Sequence, residues 1–317
     1  MTINFRKVAV VGCGFVGSAS AFALMQSGLF SEMVMLDVNK EKAEGEAMDI
    51  SHGTALANPM KIYAGDYDDI QDAAIIVVTA GAAQKPGETR LDLIKKNIAI
   101  HKGIMDEIRK RKCEGILLIV ANPVDILTLY AIENSGMPKE RVFGSGTVLD
   151  TARLRYALGS CLEVDSRSVH AYVIGEHGDS EFVSWSNANV SGVPMHDFFA
   201  LRGKNVEDME KTEEEIANEV KNAAYEIIQK KNATYYGIAT SVVRICRAVI
   251  RDEKSVLPVS VSLNGAYGIN DVALSVPAIV GRNGIERLVP IALSEEEREK
   301  LSKSAEVLKE ITKTIEF

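Results

Sequence analysis

Residues Lys7–Gly17 read KVAVVGCGFVG: an apolar, largely β-branched run that ends in three glycines spaced G-x-G-x-x-G. Little besides a strand, a tight turn and a helix accommodates that order. Gly12 serves the turn, Gly14 lets a backbone approach a pyrophosphate, and Gly17 lets helix and strand pack closely. The helix expected over Val16–Ser27 then aims its unpaired N–H groups at the turn. Asp37 follows twenty residues beyond Gly17, at the end of the next apolar run. A carboxylate there accepts from both ribose hydroxyls and repels a 2′-phosphate, which selects NAD over NADP. The uncharged stretch Val8–Met25 follows Arg6-Lys7, as in an export signal or a membrane span. Its glycines and serines, and the strand ending in Asp37, favour the nucleotide-binding reading.

Further runs at Met33–Val38, Lys61–Ala64, Ala74–Gly81, Ile116–Asn122 and Arg141–Phe143 are also continuous rather than alternating. Strands buried on both faces have this pattern. Helical patterns separate them, at Lys40–Ala55, Thr89–Lys112 and Asp125–Asn134. The expected fold class is α/β: an N-terminal doubly wound parallel sheet of the Rossmann type over residues 1–145. An α+β substrate domain over 146–317 is expected after it. There a helix starts at Thr147–Ala157, strands lie at Val169–Ile174 and Phe182–Ala188, and Asp208–Lys231 is a long amphipathic helix. Antiparallel strands are expected at Leu257–Val261 and Asp271–Ile279. Ser294 and Glu297 form a capping box before a last helix with Leu301, Ala305, Leu308 and Ile311 on one face.

With 317 residues, 46% hydrophobic and 25% charged, the chain can bury a core without staples, which excludes disordered and fibrous classes. A net charge of −8 argues against a nucleic-acid partner. The cysteines, Cys13, Cys113, Cys161 and Cys246, show no metal spacing and read as free thiols of a reducing cytosol.

Four segments place polar groups where ligands would lie. QKPGETR (Gln84–Arg90) follows the fourth strand, at the carboxyl end of the sheet, with the glycine and proline of a loop that can move. In NPVD, Pro123 restricts Asn122 to extended backbone and aims its side chain at the crevice, while Asp125 could cap the next helix. Asp150 and Arg153 share a helical face at i, i+3; a surface ion pair is the plainer reading. In GEHGD, His177 lies between glycines where a ligand can approach, and Asp150 could orient it.

The motifs GCGFVG, QKPGETR, NPVD, GSGTVLDTARLR and GEHGDS occur in this order. With them the chain resembles the bacterial, fructose 1,6-bisphosphate-activated branch of the lactate/malate dehydrogenase family, from about Arg6 to about Glu310. The resemblance implies NADH-dependent reduction of pyruvate to (S)-lactate in cytoplasmic fermentation, by a homotetramer without a metal. His177 is then the proton donor and acceptor, and Asp150 orients it and raises its pKa. Arg153 forks the substrate carboxylate, Arg90 polarises the ketone, Asn122 bonds near the substrate oxygen, and Thr234 lies near the substrate side chain and nicotinamide. Gln84 stands where malate-specific members carry arginine, so a second carboxylate would meet no counter-charge. Cofactor contacts are implied at Gly12, Gly14, Val16, Gly17, Asp37, Lys42, Tyr67, Gly81, Ala82, Val120, Asn122 and Ser145. Arg155 and His170 match a bisphosphate effector site across a subunit interface. Ala83 replaces a common asparagine, and Asn232 a common glycine.

Three rivals weaken on the same residues. Gln84 opposes a malate dehydrogenase. The metal-ligating cysteine and histidine of the NAD-dependent glycosidases that share this fold have no counterpart motif. A non-catalytic nucleotide binder would not need His177, Asp150, Arg90 and Arg153 together.

Overall fold

The computed structural model describes residues 2–83, 87, 89–203 and 205–315. In chain order the first half forms β1 (Asn4–Val11), α1 (Phe15–Ser27), β2 (Glu32–Leu36), α2 (Lys40–His52), β3 (Lys61–Ala64), β4 (Ala73–Val78), α3 (Arg90–Arg111), β5 (Ile116–Ile119), α4 (Val124–Asn134) and β6 (Val142–Gly144). Then come α5 (Val148–Leu162), the short strands β7 (Val169–His170), β8 (Val173–Ile174), β9 (Phe182–Val183), β10 (Asn189–Val190) and β11 (Val193–Pro194), and helices α6 (Met195–Leu201), α7 (Val206–Lys231) and α8 (Tyr236–Ile250). The chain closes with β12 (Ser255–Ser262), β13 (Ala273–Gly281), β14 (Gly284–Leu288) and α9 (Glu295–Lys313).

The main sheet runs β14-β13-β12-β6-β5-β4-β1-β2-β3. Strands β3-β2-β1-β4-β5-β6 are parallel. That is the doubly wound order, whose direction of progression reverses between β1 and β4. The crevice for a ligand therefore opens where Val11 and Val78 end their strands. Val8, Ala9, Val10, Ile76, Val77, Leu117 and Leu118 are fully or almost fully buried, as continuous apolar runs covered on both faces should be. Strand β12 extends the sheet antiparallel to β6, pairing Ser260 with Gly144. One sheet thus continues past the expected boundary at residue 145 into the second half. A second core under α5 and α7 gathers Leu154, Leu158, Phe199, Ile216 and Val220.

Several second-half elements differ from expectation. The run Phe182–Ala188 keeps only two residues of strand and then turns into a 3-10 helix at Trp185–Asn187. Val169–Ile174 divides into β7 and β8, which belong to different sheets. Helix α8 and strand β14 add to the expected set, although α8 buries Ala239, Val242, Val243, Cys246 and Val249 at helical spacing. Asp125 does not cap α4: Pro123 occupies the cap, and Asp125 is buried in the first turn. The Ser294–Glu297 capping box forms as expected.

The glycine turn is sterically forced. Gly12 has φ +102°, and a Cβ there would sit 2.6 Å from the Ala80 backbone nitrogen. A Cβ on Gly17 would overlap the Gly12 carbonyl oxygen, whereas one on Gly14 would meet nothing within 4 Å. Gly17→Ala is therefore expected to lower stability by about 2–3 kcal/mol through overpacking. Gly14→Ala, at a helix cap, should lower it by under about 1 kcal/mol. Chemical denaturation of both variants checks this; equal losses would show that Gly17 is not a packing glycine.

Candidate active site

The turn after β1 forms a cradle. Asp37 leaves β2 with one carboxylate oxygen accepting from the Cys13 backbone N–H at 2.7 Å and the other from the Asn39 N–H at 2.9 Å. Helix α1 begins at Gly14, whose cap carries no side-chain hydrogen bond. A side chain on Gly14 would stand in open space, and the first N–H groups of a helix form a ready anion site. Among the described residues no packing requires Gly14 to be small, so the residues present fit a dinucleotide phosphate lying against it. Burial pushes the Cys13 thiol up to about 12, and its Sγ lies 3.5 Å from the Leu36 carbonyl; it is a filler, not a nucleophile.

Other expected cofactor residues share this end of the sheet. Gly81 and Ala82 follow β4, Val120 follows β5 with its N–H on the Val78 carbonyl at 2.9 Å, and Ser145 follows β6. Val16 is half-buried in the first turn of α1, and Lys42 is exposed in the first turn of α2. Tyr67 lies half-buried after β3, with the Arg111 guanidinium 5.6 Å above its ring.

Asn97, buried on α3, joins two loops of the crevice. It accepts from the Ala82 N–H at 2.7 Å and donates to the Asn122 carbonyl at 2.8 Å. The Asn122 side chain is left exposed beside this staple.

The chemical centre is built on α5. Asp150 is 2% exposed and touches two cations at once. One oxygen lies 2.7 Å from His177 Nδ1, and the other accepts from the Arg153 guanidinium at 2.7 Å. This is a buried pair rather than the surface pair that i, i+3 spacing alone favours. The Nδ1 contact leaves the other ring nitrogen of His177 to face a ligand, and a quarter of that side chain stays exposed. The His177 N–H also donates to Asp125 at 2.7 Å, and Asp125 accepts from the Ser260 hydroxyl at 2.6 Å. The loop that carries His177 is thereby tied to α4 and β12.

Electrostatics follow from this arrangement. Burial works against an imidazolium at His177, but the Asp150 charge and hydrogen bond, with Glu181 and Asp125, overcome it and raise the ring to about 9. Burial likewise works against the Asp150 carboxylate, and the His177 and Arg153 cations overcome it and hold that carboxyl below its ordinary value. Burial pushes Asp125 up to about 6 against its two hydrogen bonds.

Arg90, at the first position of α3, is half-exposed and rests on buried Glu176 at 2.5 Å, with Asp179 at 3.6 Å. Gln84 lies outside the described residues. Thr234 sits in the loop after α7, whose cap Asn232 has φ +67°, so asparagine takes the left-handed backbone there. Phe15 stacks on Tyr235 with ring centroids 5.5 Å apart, which brings the Thr234 loop against the glycine turn. Arg155 and His170 line one cavity of about 680 Å³ with Tyr172 and Arg244, away from His177. The sequence reading passes over Asp125 as a loop anchor, Glu176 as the partner of Arg90, and Glu181. Glu176 and Glu181 flank His177 in the GEHGDSE segment, but sequence spacing alone does not tell which side chains turn inward.

Known proteins resemble this chain in both halves. Residues 6–144 match the lactate/malate dehydrogenase NAD binding domain, and residues 147–317 match that family's alpha/beta C-terminal domain. An L-lactate dehydrogenase of Thermoanaerobacterium saccharolyticum is 52% identical, over 98% of this chain and 99% of its own. One from Acetivibrio thermocellus is 51% identical, over 98% of each chain. Among solved structures, a lactate dehydrogenase from a Medee basin deep-sea metagenome library superposes with a TM-score of 0.93 at 46% identity, covering 99% of both chains. The minor L-lactate dehydrogenase of Enterococcus mundtii, in its ligands-bound form, gives 0.94 at 43%, covering 98% of this chain and 99% of that one. Matched in both halves and over nearly its whole length, the chain belongs to the lactate/malate dehydrogenase family.

Proposed function

We propose that the chain catalyses the reversible NADH-dependent reduction of pyruvate to (S)-lactate, with residues 1–145 serving the cofactor and 146–317 the substrate. The observation that carries the reading is a single buried carboxylate, Asp150, bonded at once to a histidine and an arginine. NAD, when bound in the cradle, supplies or accepts the hydride, so the chain's residues position, polarise and protonate. Arg153 holds the substrate carboxylate by its fork. His177 gives its proton to the developing alkoxide, and Asp150 stabilises the ring while it is charged. Arg90 leaves Glu176 to polarise the ketone as the loop closes. Asn122 bonds near the same oxygen, and Thr234 packs near the substrate methyl. The names of the relatives support lactate over malate, and so does a neutral residue at Gln84.

The same reading includes a cytoplasmic, fermentative homotetramer activated by fructose 1,6-bisphosphate at Arg155 and His170. Supporting it, the two residues line one cavity with Arg244, a basic set suited to a bisphosphate. Among the described residues no helix is long and apolar enough to cross a membrane.

Three outcomes are expected. Pyruvate reduction needs protonated His177, which is kept until about pH 9. Its kcat/KM should be level through neutral pH and fall above that value, approaching tenfold per unit, while lactate oxidation rises over the same range. Single-turnover profiles in both directions check this, and identical profiles would remove His177 as the acid. Gln84→Arg should raise the oxaloacetate-to-pyruvate ratio of kcat/KM at least about a hundredfold, matching about 3 kcal/mol of newly paired charge. An unchanged ratio would take Gln84 out of substrate choice. Fructose 1,6-bisphosphate should lower KM for pyruvate and stabilise the tetramer, and Arg155→Gln should abolish both effects. Steady-state assays and sedimentation decide; no response in the wild type ends the effector reading.

A further inference from the structure

The loop between β8 and β9 carries a third acid that the mechanism above leaves unused. We infer that Glu181 is a second counter-ion of the catalytic imidazole, so that His177 is held between two buried carboxyl groups instead of one. The inference rests on the proposed proton transfer and names a positioning residue for it.

Glu181 follows His177 by four residues, its side chain is 6% exposed, and a carboxylate oxygen lies 3.8 Å from His177 Nδ1. One ligand atom from each of Asp150, His177 and Glu181 lies within 4.8 Å of the other two. Such a cluster could be mistaken for a metal site, but its atoms are already committed. Asp150 gives one oxygen to His177 and the other to Arg153, and Nδ1 of the ring is turned to Asp150. The arrangement surrounds a proton.

Burial and the neighbouring Asp150 charge push Glu181 up to about 8, against the pull of His177 and Arg153. Glu181 is thus harder to ionise than an ordinary glutamate, and the His177 charge favours its carboxylate. Once ionised, the carboxylate holds the imidazolium in place.

The other charged groups around the ring are accounted for. From α4, Asp125 accepts the His177 backbone N–H. On the same loop, Glu176 and Asp179 face Arg90 of α3, and Asp179 also accepts from Tyr225 of α7 at 3.1 Å. Lys221 of α7 and Lys300 and Lys303 of α9 line a cavity of about 390 Å³ that Glu181 borders. Lys300 is paired with Glu296 at 2.6 Å. Among the described residues the only cationic side chain within ion-pair distance of Glu181 is His177.

The test is the pH profile of kcat/KM for pyruvate at saturating NADH, in wild type, Glu181→Gln and Glu181→Asp. The amide should move the alkaline limb about one unit toward acid, so that kcat/KM at about pH 10 falls roughly tenfold relative to wild type. Aspartate should restore the limb most of the way. A limb that stays in place in the amide variant, or a uniform loss at every pH, overturns the inference, since a merely structural role gives one of those results. Should the amide variant fail to fold, the wild-type His177 resonances decide by NMR. They should respond in two steps, because the ring senses the ionisation of Glu181 as well as its own. A single step overturns the inference. If the wild-type protein does not oxidise NADH with pyruvate, the functional reading falls, and the NMR titration still settles the role of Glu181.

Discussion

Asp150 is the interaction on which the site depends. A carboxylate with 2% exposure is costly to bury, and it is kept ionised because two cations share it. His177 rides on a loop, Arg153 lies one helical turn along α5, and Asp150 sets the spacing between the proton and the fork. Removing it would strand two positive groups in a partly closed space, so on the proposed function the cost would fall on binding and on proton transfer together.

The sheet explains why these groups meet the nucleotide cradle. Six parallel strands bring the turns after β1, β4, β5 and β6 to one edge. Asn97 then fixes the exit of β4 to that of β5 through two short hydrogen bonds. Asp125 does the corresponding work between α4, β12 and the histidine loop. The second half is joined by pairing Ser260 with Gly144 and by the Phe15–Tyr235 stack. Cofactor end and substrate end are therefore parts of one continuous framework.

Much of this was legible in the residues. Continuous β-branched runs announce strands buried on both faces, and the glycine spacing announces the turn, because both signals arise from local sterics. The capping box at Ser294 is local too, and it formed. The second half was harder to read. Phe182–Ala188 has strand composition, yet only Phe182 and Val183 find a partner, opposite β8. The partner strand β8 is itself only two residues long, so composition alone does not fix strand length there. In the same way the Asp150–Arg153 spacing is compatible with a solvated pair; only the packing of α5 beneath the histidine loop makes it a buried one. Gln84, to which the proposed function ties substrate choice, lies outside the described residues, and its weight comes from its chemistry in the sequence.

Arg90 is already bound to an anion in the resting molecule. On the proposed reading, its 2.5 Å contact with Glu176 means that a newcomer must outcompete an internal rival before the arginine will serve it. A molecule that fills the crevice but offers no electron-rich oxygen gives the arginine no reason to change allegiance. On that reading, the Arg90–Glu176 contact favours occupants that bring such an oxygen over those of the right size and the wrong polarity.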